Sequence, residues 1–177
     1  MGNKVNRDDE IFEDDFKNRR GKLTYMGDLK DGKPNGQGKI TSTNGDVYMG
    51  EFANGSINGQ GKSTYKNGDV YEGESKDNKR YGRGKYTFIN GDIYEGGFKN
   101  GDLHGRAKKI DGKKRLLEQG EYESDKLIRG ITYLWEDNGI CTKIDANGNI
   151  IQPNITHLED KIKVLTEMMH EMQTKIG

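Results

Sequence analysis

Three histidines and one cysteine are the residues of this 177-residue chain best suited to metal binding or nucleophilic catalysis. His157 and His170 are too far apart in the sequence to have the four-residue spacing that lets two histidines on one helix share a metal ion. His104 falls at a repeated position, which is typical of a structural role. Cys141 has no candidate general base near it in the sequence. The sequence therefore predicts no catalytic residue, no metal site and no enzymatic activity.

A glycine-rich motif recurs four times and resembles a phosphate-binding loop in its glycine content. The copies lie at residues 35–38, 58–61, 81–84 and 104–107, and the interval between them is constant. A dinucleotide-binding fingerprint needs a third glycine where a helix begins, and none of the copies has one. We therefore expect tight bends at these positions and no cofactor.

The elements that carry these glycines repeat with a 23-residue period. Asn-Gly-Asp occurs at residues 44–46, 67–69 and 90–92, each copy one period after the last. A Tyr-x-Gly motif follows the same interval and begins at Tyr25, Tyr48, Tyr71 and Tyr94. A single period of this kind is typical of an array of stacked supersecondary units, and such arrays bind partners more often than they catalyse reactions.

Each unit is predicted to hold two antiparallel strands. In the unit that begins at residue 46, Tyr48, Gly50 and Phe52 alternate with mostly polar positions and share one face. Asn67 and Gly68 predict a two-residue hairpin turn to the next unit, because such a turn needs positive φ at both positions. Glycine inside a strand is normally unfavourable, so we expect a tyrosine ring from a neighbouring strand to lie over Gly50 and its equivalents.

The composition limits the size of the hydrophobic core and the kinds of partner that the chain can attract. Only 30% of the residues are hydrophobic and the mean hydropathy is −1.04, which favours a thin sheet over a deep core. Lys+Arg and Asp+Glu number 29 each, so there is no overall field to attract nucleic acid, and we expect no nucleic-acid partner. No apolar run approaches the roughly 18 residues of a membrane-spanning helix. A single cysteine and the lack of an apolar N-terminal stretch predict an intracellular, cytoplasmic protein.

A family resemblance rests on the repeated unit. Tyr-Glu-Gly-Glu at residues 71–74, a short Asn/Gly/Lys turn and a Gly-x-Gly-Lys segment followed by an aromatic residue resemble the MORN (membrane occupation and recognition nexus) repeat, over roughly residues 23–110. The resemblance implies an elongated, twisted, single-layer antiparallel sheet with a shallow groove along one face. The aromatic residues expected to line that groove are Tyr25, Tyr48, Phe52, Tyr71, Tyr94 and Phe98.

The same resemblance carries expectations about function. It suggests a scaffold of cytoskeletal assemblies, including those of the cilium or flagellum. Enzymes of this family carry a catalytic domain after the array, and the two dozen residues after the predicted sheet are too few for one. Two positions depart from the repeat, since Ser75 stands where Phe52 and Phe98 stand and Ala107 replaces the last glycine of its motif. We expect looser packing in those units.

The repeats degenerate after residue 110 but do not end there. Residues 120–122 imitate the Gly-Glu-Phe of earlier units, and residues 131–135 and 140–142 predict a further hairpin. Asn147 and Gly148 predict a turn into a last strand at residues 149–152, with Pro153 ending the sheet. The expected organisation is therefore a flexible acidic arm at residues 1–20, the sheet at 21–153 and a helix at 154–177.

The C-terminal segment has the pattern of an amphipathic helix. Thr156 and Glu159 form a capping box after Pro153. Val164 and Met168 widen the apolar stripe, which favours docking on a broad surface over a narrow self-paired seam. The surface could belong to the chain's own sheet, to a protein partner or to a second copy of the chain in a homodimer. The stripe, with spacings of three and four residues, consists of Ile155, Leu158, Ile162, Leu165, Met169, Met172 and Ile176.

Two charged segments complete the candidate sites. Residues 8–15 hold six acidic residues around Ile11 and Phe12, which predicts a solvated arm, with a short amphipathic binding motif as the alternative. Residues 99–115 carry an excess of five positive charges that could meet acidic phospholipids or an acidic partner. The leading hypothesis is a non-enzymatic scaffold that holds a helical or extended peptide, and the alternative is a peripheral membrane tether. The cations of the tether hypothesis are Lys108, Lys109, Lys113, Lys114 and Arg115.

Overall fold

The computed structural model describes residues 23–113, 116–136 and 141–155, the last four of them by their backbone alone. These residues form one antiparallel sheet in which each strand pairs with the next along the chain. At about 4.8 Å between neighbouring strands, the sheet is about 50 Å long. The twelve strands are β1 (Leu23–Lys30), β2 (Lys33–Ser42), β3 (Val47–Ala53), β4 (Ser56–Thr64), β5 (Val70–Lys76), β6 (Lys79–Thr87), β7 (Ile93–Lys99), β8 (Asp102–Ile110), β9 (Leu116–Glu123), β10 (Lys126–Trp135), β11 (Cys141–Asp145) and β12 (Ile150–Ile155).

The all-β meander predicted from the repeat period is confirmed, with two strands for each 23-residue unit. The degenerate hairpins beyond residue 110 are also present as β9 to β12. No helix occurs among the residues that the structure describes, and none there could span a membrane. The predicted helix at 154–177 lies outside the described residues apart from its first two positions, and the acidic arm at 1–20 lies outside them entirely.

The turns between units differ from the prediction. The Gly68 amide donates to the Tyr65 carbonyl over 2.8 Å, and the Tyr65 amide donates to the Asp69 carbonyl over 2.9 Å. This pattern closes a three-residue loop in which Gly68 alone has positive φ, at 92°, while Asn67 does not. The two-residue turn predicted at Asn67 and Gly68 is therefore wrong. Asn67 instead acts through its side chain, which bonds to both the amide and the carboxylate of Asp69.

Two-residue turns do occur, but within the units. Both central residues of each turn have positive φ, the geometry whose twist matches that of the flanking strands. Most of these residues are Asn, Asp or Gly, the types that tolerate this conformation best. The turns are Asp31 and Gly32, Asn54 and Gly55, Asp77 and Asn78, Asn100 and Gly101, and Ser124 and Asp125.

Side-chain bonds join each Asn-Gly-Asp turn to the next. One carboxylate oxygen of Asp46 accepts from the Lys66 amide over 2.9 Å, and Asp69 accepts from the Ile89 amide at the same distance. Asp92 repeats the bond to the amide of Gly112 over 2.7 Å. The aspartate of the motif therefore ties together turns that are separated by two strands.

Tyrosine packs over glycine in a different way from the prediction. The ring of Tyr48 lies over Gly61 on the adjacent strand β4, where a β-carbon would come within 2.5 Å of two ring carbons. Gly50 faces the backbone of Gly61, and a β-carbon there would lie 2.5 Å from the Gly61 α-carbon. The ring over Gly50 was predicted to come from a neighbouring strand, and this is wrong, since Tyr48 belongs to the strand of Gly50 itself. Tyr25 over Gly38 and Tyr71 over Gly84 repeat the arrangement.

The last strand is longer than predicted. β12 continues past Pro153 to Ile155, so Pro153 does not end the sheet. Proline is tolerated there because β12 is an edge strand and its pairing with β11 is irregular between Cys141 and Lys143. Ile155, which was assigned to the helical stripe, is paired with Cys141 in the sheet instead.

Candidate functional site

The six predicted groove aromatics lie on one face of the sheet, here called the aromatic face. Five of them are at most 8% exposed, while Tyr94 is partly exposed. Their rings meet edge to face, with centroids 5.1 Å apart for Tyr25 and Phe52 and 5.4 Å apart for Tyr71 and Phe98. The five buried residues form the floor of the face, because their rings cover one another.

Burial also changes the acidity of these tyrosines. It raises the pKa of Tyr25 to about 12, with a smaller contribution from the charge of Asp28. The pKa of Tyr48 is raised to about 12 for the same principal reason. The hydroxyls of Tyr25, Tyr48 and Tyr71 donate to carbonyls three residues ahead. These hydroxyls therefore serve the floor of the sheet as neutral hydrogen-bond donors.

Arg80 interrupts the apolar floor at the middle of the sheet. It pairs across the strands with Ser75, at positions that Phe52 and Ile57 occupy in the preceding unit. Its guanidinium carbon lies 4.9 Å from the ring centroid of Tyr86, and the rings of Tyr71 and Phe98 lie 5.9 and 5.7 Å away. The floor is divided here into two apolar clusters, one around Phe52 and one around Phe98. The guanidinium thus occupies the space that a phenylalanine fills elsewhere.

A second row of aromatic residues on this face is more accessible. Tyr65, Tyr86, Phe88 and Tyr94 are all partly exposed, and successive ring centroids are 5.8, 4.6 and 4.9 Å apart. Only Tyr94 of this row was among the predicted site residues. A signal for it was present in the sequence, because Tyr65 and Phe88 occupy the same position in successive units, just before their turns.

A shallow depression lies beside the accessible row. It is lined by Asp46, Tyr65, Lys66, Asn67 and Tyr86. Polar groups from two successive turns therefore stand next to two aromatic rings. This combination suits a bound side chain that is partly apolar and carries a polar end.

Asp69 fixes the position of Tyr86 in this row. Its carboxylate is only 6% exposed and accepts from the Tyr86 hydroxyl over 2.9 Å and from the Asn67 amide group over 2.8 Å. The backbone bond from Ile89 is the main reason that the pKa of Asp69 lies below its usual value. Burial and the bond to Asp69 raise the pKa of Tyr86. The accessible aromatic row is therefore held by hydrogen bonds as well as by ring packing.

The basic stretch does not present one cationic surface within the described residues. Lys108 and Lys109 are neighbours on β8, so their side chains lie on opposite faces. The Lys108 ammonium lies 3.5 Å from the Glu95 carboxylate, and that of Lys109 lies 3.7 Å from the Glu118 carboxylate. Lys113 is exposed. The remaining predicted cations, Lys114 and Arg115, lie outside the described residues.

The opposite face of the sheet carries an apolar patch near its C-terminal end, here called the distal patch. Cross-strand pairs join Ile93 to Ile110, Ile110 to Leu117 and Leu117 to Tyr133. The adjoining pair is Trp135 and Cys141, and the Trp135 ring stacks on Tyr133 at 5.8 Å. Leu117 is 3% exposed and Cys141 is 0% exposed. Cys141, the one thiol of the chain, is thus buried within an apolar patch whose other residues, apart from Leu117, are partly exposed.

The predicted helical stripe is tested only at its first position. Ile155 lies in β12, as described above, and its side chain is not described. The other stripe residues, together with Val164 and Met168, lie outside the described residues. They are Leu158, Ile162, Leu165, Met169, Met172 and Ile176.

His104 lies in β8, and the described residues contain no group of three or more metal-binding side chains.

The fold and the aromatic face define a class of protein. A single-layer meander whose 23-residue unit packs tyrosine over glycine is a β-repeat array, with much surface and little enclosed volume. The MORN repeat family model matches four consecutive segments, at residues 25–47, 48–70, 71–93 and 94–112. The chain belongs to the MORN-repeat family. No curated protein matches this sequence. MORN repeats are commonly modules of protein or membrane interaction.

Proposed function

We propose that this protein is a non-enzymatic scaffold or adaptor that binds a protein partner. The aromatic face holds an extended or helical peptide of the partner, and the C-terminal helix adds a second contact. The assembly is cytoskeletal, in the cytoplasm or in a cilium or flagellum. Membership of the MORN-repeat family supports an interaction role.

Arg80 is the observation that supports this proposal most. It makes no ion pair with any residue that the structure describes, yet its guanidinium lies over three aromatic rings on a partly exposed face. Guanidinium groups bind carboxylates through two parallel hydrogen bonds, and stacking on rings pre-orients the group for this. The accessible row beside it, with Tyr65, Tyr86 and Phe88, offers contacts for apolar side chains. The best-fitting peptide therefore carries one carboxylate flanked by apolar or aromatic residues.

The test compares two arginines on the same strand. Arg80 faces the aromatic side of β6, while Arg83 points to the opposite face and is exposed. Partners are first identified by proximity labelling in the native cell, and the affinity of each purified partner is then measured for Arg80→Ala and Arg83→Ala chains. We expect Arg80→Ala to weaken binding by about tenfold or more, as loss of a charged hydrogen-bond pair does, and Arg83→Ala to leave it unchanged. Equal affinities for both variants and the parent chain would refute the role of the aromatic face.

The contribution of the C-terminal helix is tested by truncation. Because β12 extends to Ile155, the deletion covers residues 156–177 and spares the sheet. We expect the truncated chain to lose partners or to change its oligomeric state. If the set of partners and the number of chains per particle, measured by light scattering, both stay the same, the helix has no binding role and no homodimer forms through it.

Binding to acidic phospholipids is the alternative function and has weaker support. Lys108 and Lys109 lie on opposite faces and each stands beside a carboxylate, so they cannot approach one membrane surface together. Flotation with phosphatidylserine vesicles at physiological salt tests whether the chain binds acidic phospholipids. Binding that disappears on charge reversal at Lys113, Lys114 and Arg115 would favour the tether over the scaffold.

A further inference from the structure

We propose that residues 156–177 fold back as an amphipathic helix onto the distal patch of the chain's own sheet. The occupant is thus a segment of the same chain, and the surface is the one formed by Ile93, Ile110, Leu117, Tyr133 and Trp135. This inference narrows the proposed function, because in the isolated chain the apolar stripe faces the sheet. A partner that uses the stripe must first displace the helix.

The distal patch differs in residue type from the rest of its face, as one row of cross-strand neighbours shows. In the N-terminal half of the sheet this row is Thr41, Val47, Thr64 and Val70, a mixture of small polar and apolar residues suited to contact with water. The row continues on β11 with Lys143, but from β7 to β10 each of its positions is large and apolar. These positions are Ile93, Ile110, Leu117 and Tyr133. A solvent-facing row of the same array would have no reason to change in this way.

Burial of the patch supports the same conclusion. Leu117 is 3% exposed and Cys141 is 0% exposed, although both lie outside the two clusters of the aromatic face. By contrast, Met49 lies on the same face near the other end of the sheet and is 57% exposed. On the aromatic face comparable burial is explained by rings that cover one another, but neither Leu117 nor Cys141 belongs to those clusters, so we infer that another layer lies on them.

The path of the chain brings the C-terminal segment to this place. Ile155 pairs with Cys141, so residue 156 begins directly beside the patch. The patch extends over four strand spacings, from β11 back to β7, which is about 19 Å. A helix of residues 156–177 rises about 1.5 Å per residue and is about 33 Å long. The segment is therefore long enough to cover the whole patch without an intervening linker.

The chemistry of the segment fits the surface. Leu158, Leu165 and Met172 belong to a stripe that Val164 and Met168 broaden to the width expected of a helix lying on a sheet. Flexible methionines adapt to an irregular surface of isoleucine and aromatic side chains.

The single cysteine allows a direct test. Maleimide reacts with Cys141 only when the thiol is reached by solvent, and the chain holds no other thiol. We expect the reaction to be at least about tenfold faster in a chain truncated after residue 155 than in the full chain, because the thiol then opens to water without displacement of a helix. Far-UV circular dichroism and hydrogen exchange in β3 to β6 verify that the truncated sheet is folded. A folded truncated chain whose thiol reacts as slowly as that of the full chain would overturn the proposal.

Two matched point variants separate docking from a general loss of stability. Leu165→Glu places a charge in the stripe, while Thr174→Glu places the same charge on the opposite side of the predicted helix. We expect faster labelling of Cys141 in the first variant only, and equal acceleration in both would overturn the proposal. If dilution both speeds the labelling of Cys141 and lowers the molar mass, the helix of a second copy covers the patch and the intramolecular proposal is wrong. These measurements need no partner, so they stand or fall independently of the Arg80 test.

Discussion

The packing of Tyr48 over Gly61 predicts that Gly61→Ala destabilises the sheet strongly. A β-carbon at this position would lie 2.5 Å from two ring carbons of Tyr48, whereas carbon atoms in contact are about 3.5–4.0 Å apart. The ring must therefore retreat by about 1 Å. Tyr48 is only 5% exposed and packs edge to face on Phe52, so it has little space in which to move.

The expected cost follows from these contacts. Overpacking of a buried site costs about 1–3 kcal/mol. Displacement of the ring also weakens the bond from the Tyr48 hydroxyl to the Glu51 carbonyl, now 3.2 Å long, and such a bond contributes about 1 kcal/mol. We expect the free energy of unfolding to fall by about 2–4 kcal/mol, measured by urea denaturation with circular dichroism.

A double-mutant cycle tests the assigned cause. In a Tyr48→Leu background the ring is absent, so the added methyl group at position 61 should cost less than about 0.5 kcal/mol. The fourth unit already shows a methyl group at this position, because Ala107 faces Gly96 there and Tyr94 is partly exposed. If Gly61→Ala costs as much without the ring as with it, steric conflict with Tyr48 is not the reason for glycine.

Three further predictions concern charge and turns. The pKa of Asp69 is lowered in the folded chain, so its stabilising effect is present above the ordinary carboxyl value of 3.8 and is lost as the pH falls through the folded-state pKa. In an Asp69→Asn chain the midpoint of urea denaturation should therefore depend less on pH below about pH 4. The same pH dependence in variant and parent would contradict this. Asn54 has φ of 53°, so Asn54→Ala should cost about 1 kcal/mol and Asn54→Gly less than half of that, with equal costs speaking against a backbone origin. The Lys62–Glu72 ion pair is more than half exposed, so Lys62→Ala should change the free energy of unfolding by less than about 0.5 kcal/mol, and a larger loss would show that the pair is not screened.

The strands could be predicted from sequence because their signals are local. Alternation around Tyr48 and Phe52, with glycine two residues after each tyrosine, specifies a strand and its inner face without reference to distant residues. The same holds for β9, where Tyr122 takes the place of phenylalanine and is 2% exposed. The short connections between successive strands then favour pairing of each strand with its neighbour in the chain.

The turns could not be assigned in the same way. Asn-Gly is compatible with both a two-residue and a three-residue loop, and the choice depends on bonds made elsewhere. Asn67 is held by Asp69, which in turn bonds to the amide of Ile89 in the following turn. The position of Pro153 could not be predicted from local sequence either, because its place in β12 depends on an irregular pairing with β11.

The candidate site was only partly visible in the sequence. The buried aromatics were identified, but they form the floor and not the accessible surface. Ser75 was recognised as a departure from the repeat, yet its consequence required the cross-strand register that places Arg80 opposite it. In the sequence Arg80 resembles any solvated cation of a hydrophilic strand. Only the distances to Tyr71, Tyr86 and Phe98 distinguish it.

The bonds between Asn-Gly-Asp turns make the sheet adjustable in length. Asp46 bonds to the amide of Lys66, and Asp69 makes the same bond to the amide of Ile89, one repeat later. Deletion of residues 47–69 would therefore leave Asp46 facing the amide of Ile89 with the geometry it now has toward Lys66. Such a chain would be shorter by two strands, or about 10 Å, with the same edges and the same turns. Gain or loss of whole units thus changes the distance between the two ends of the molecule in fixed steps, without a new fold.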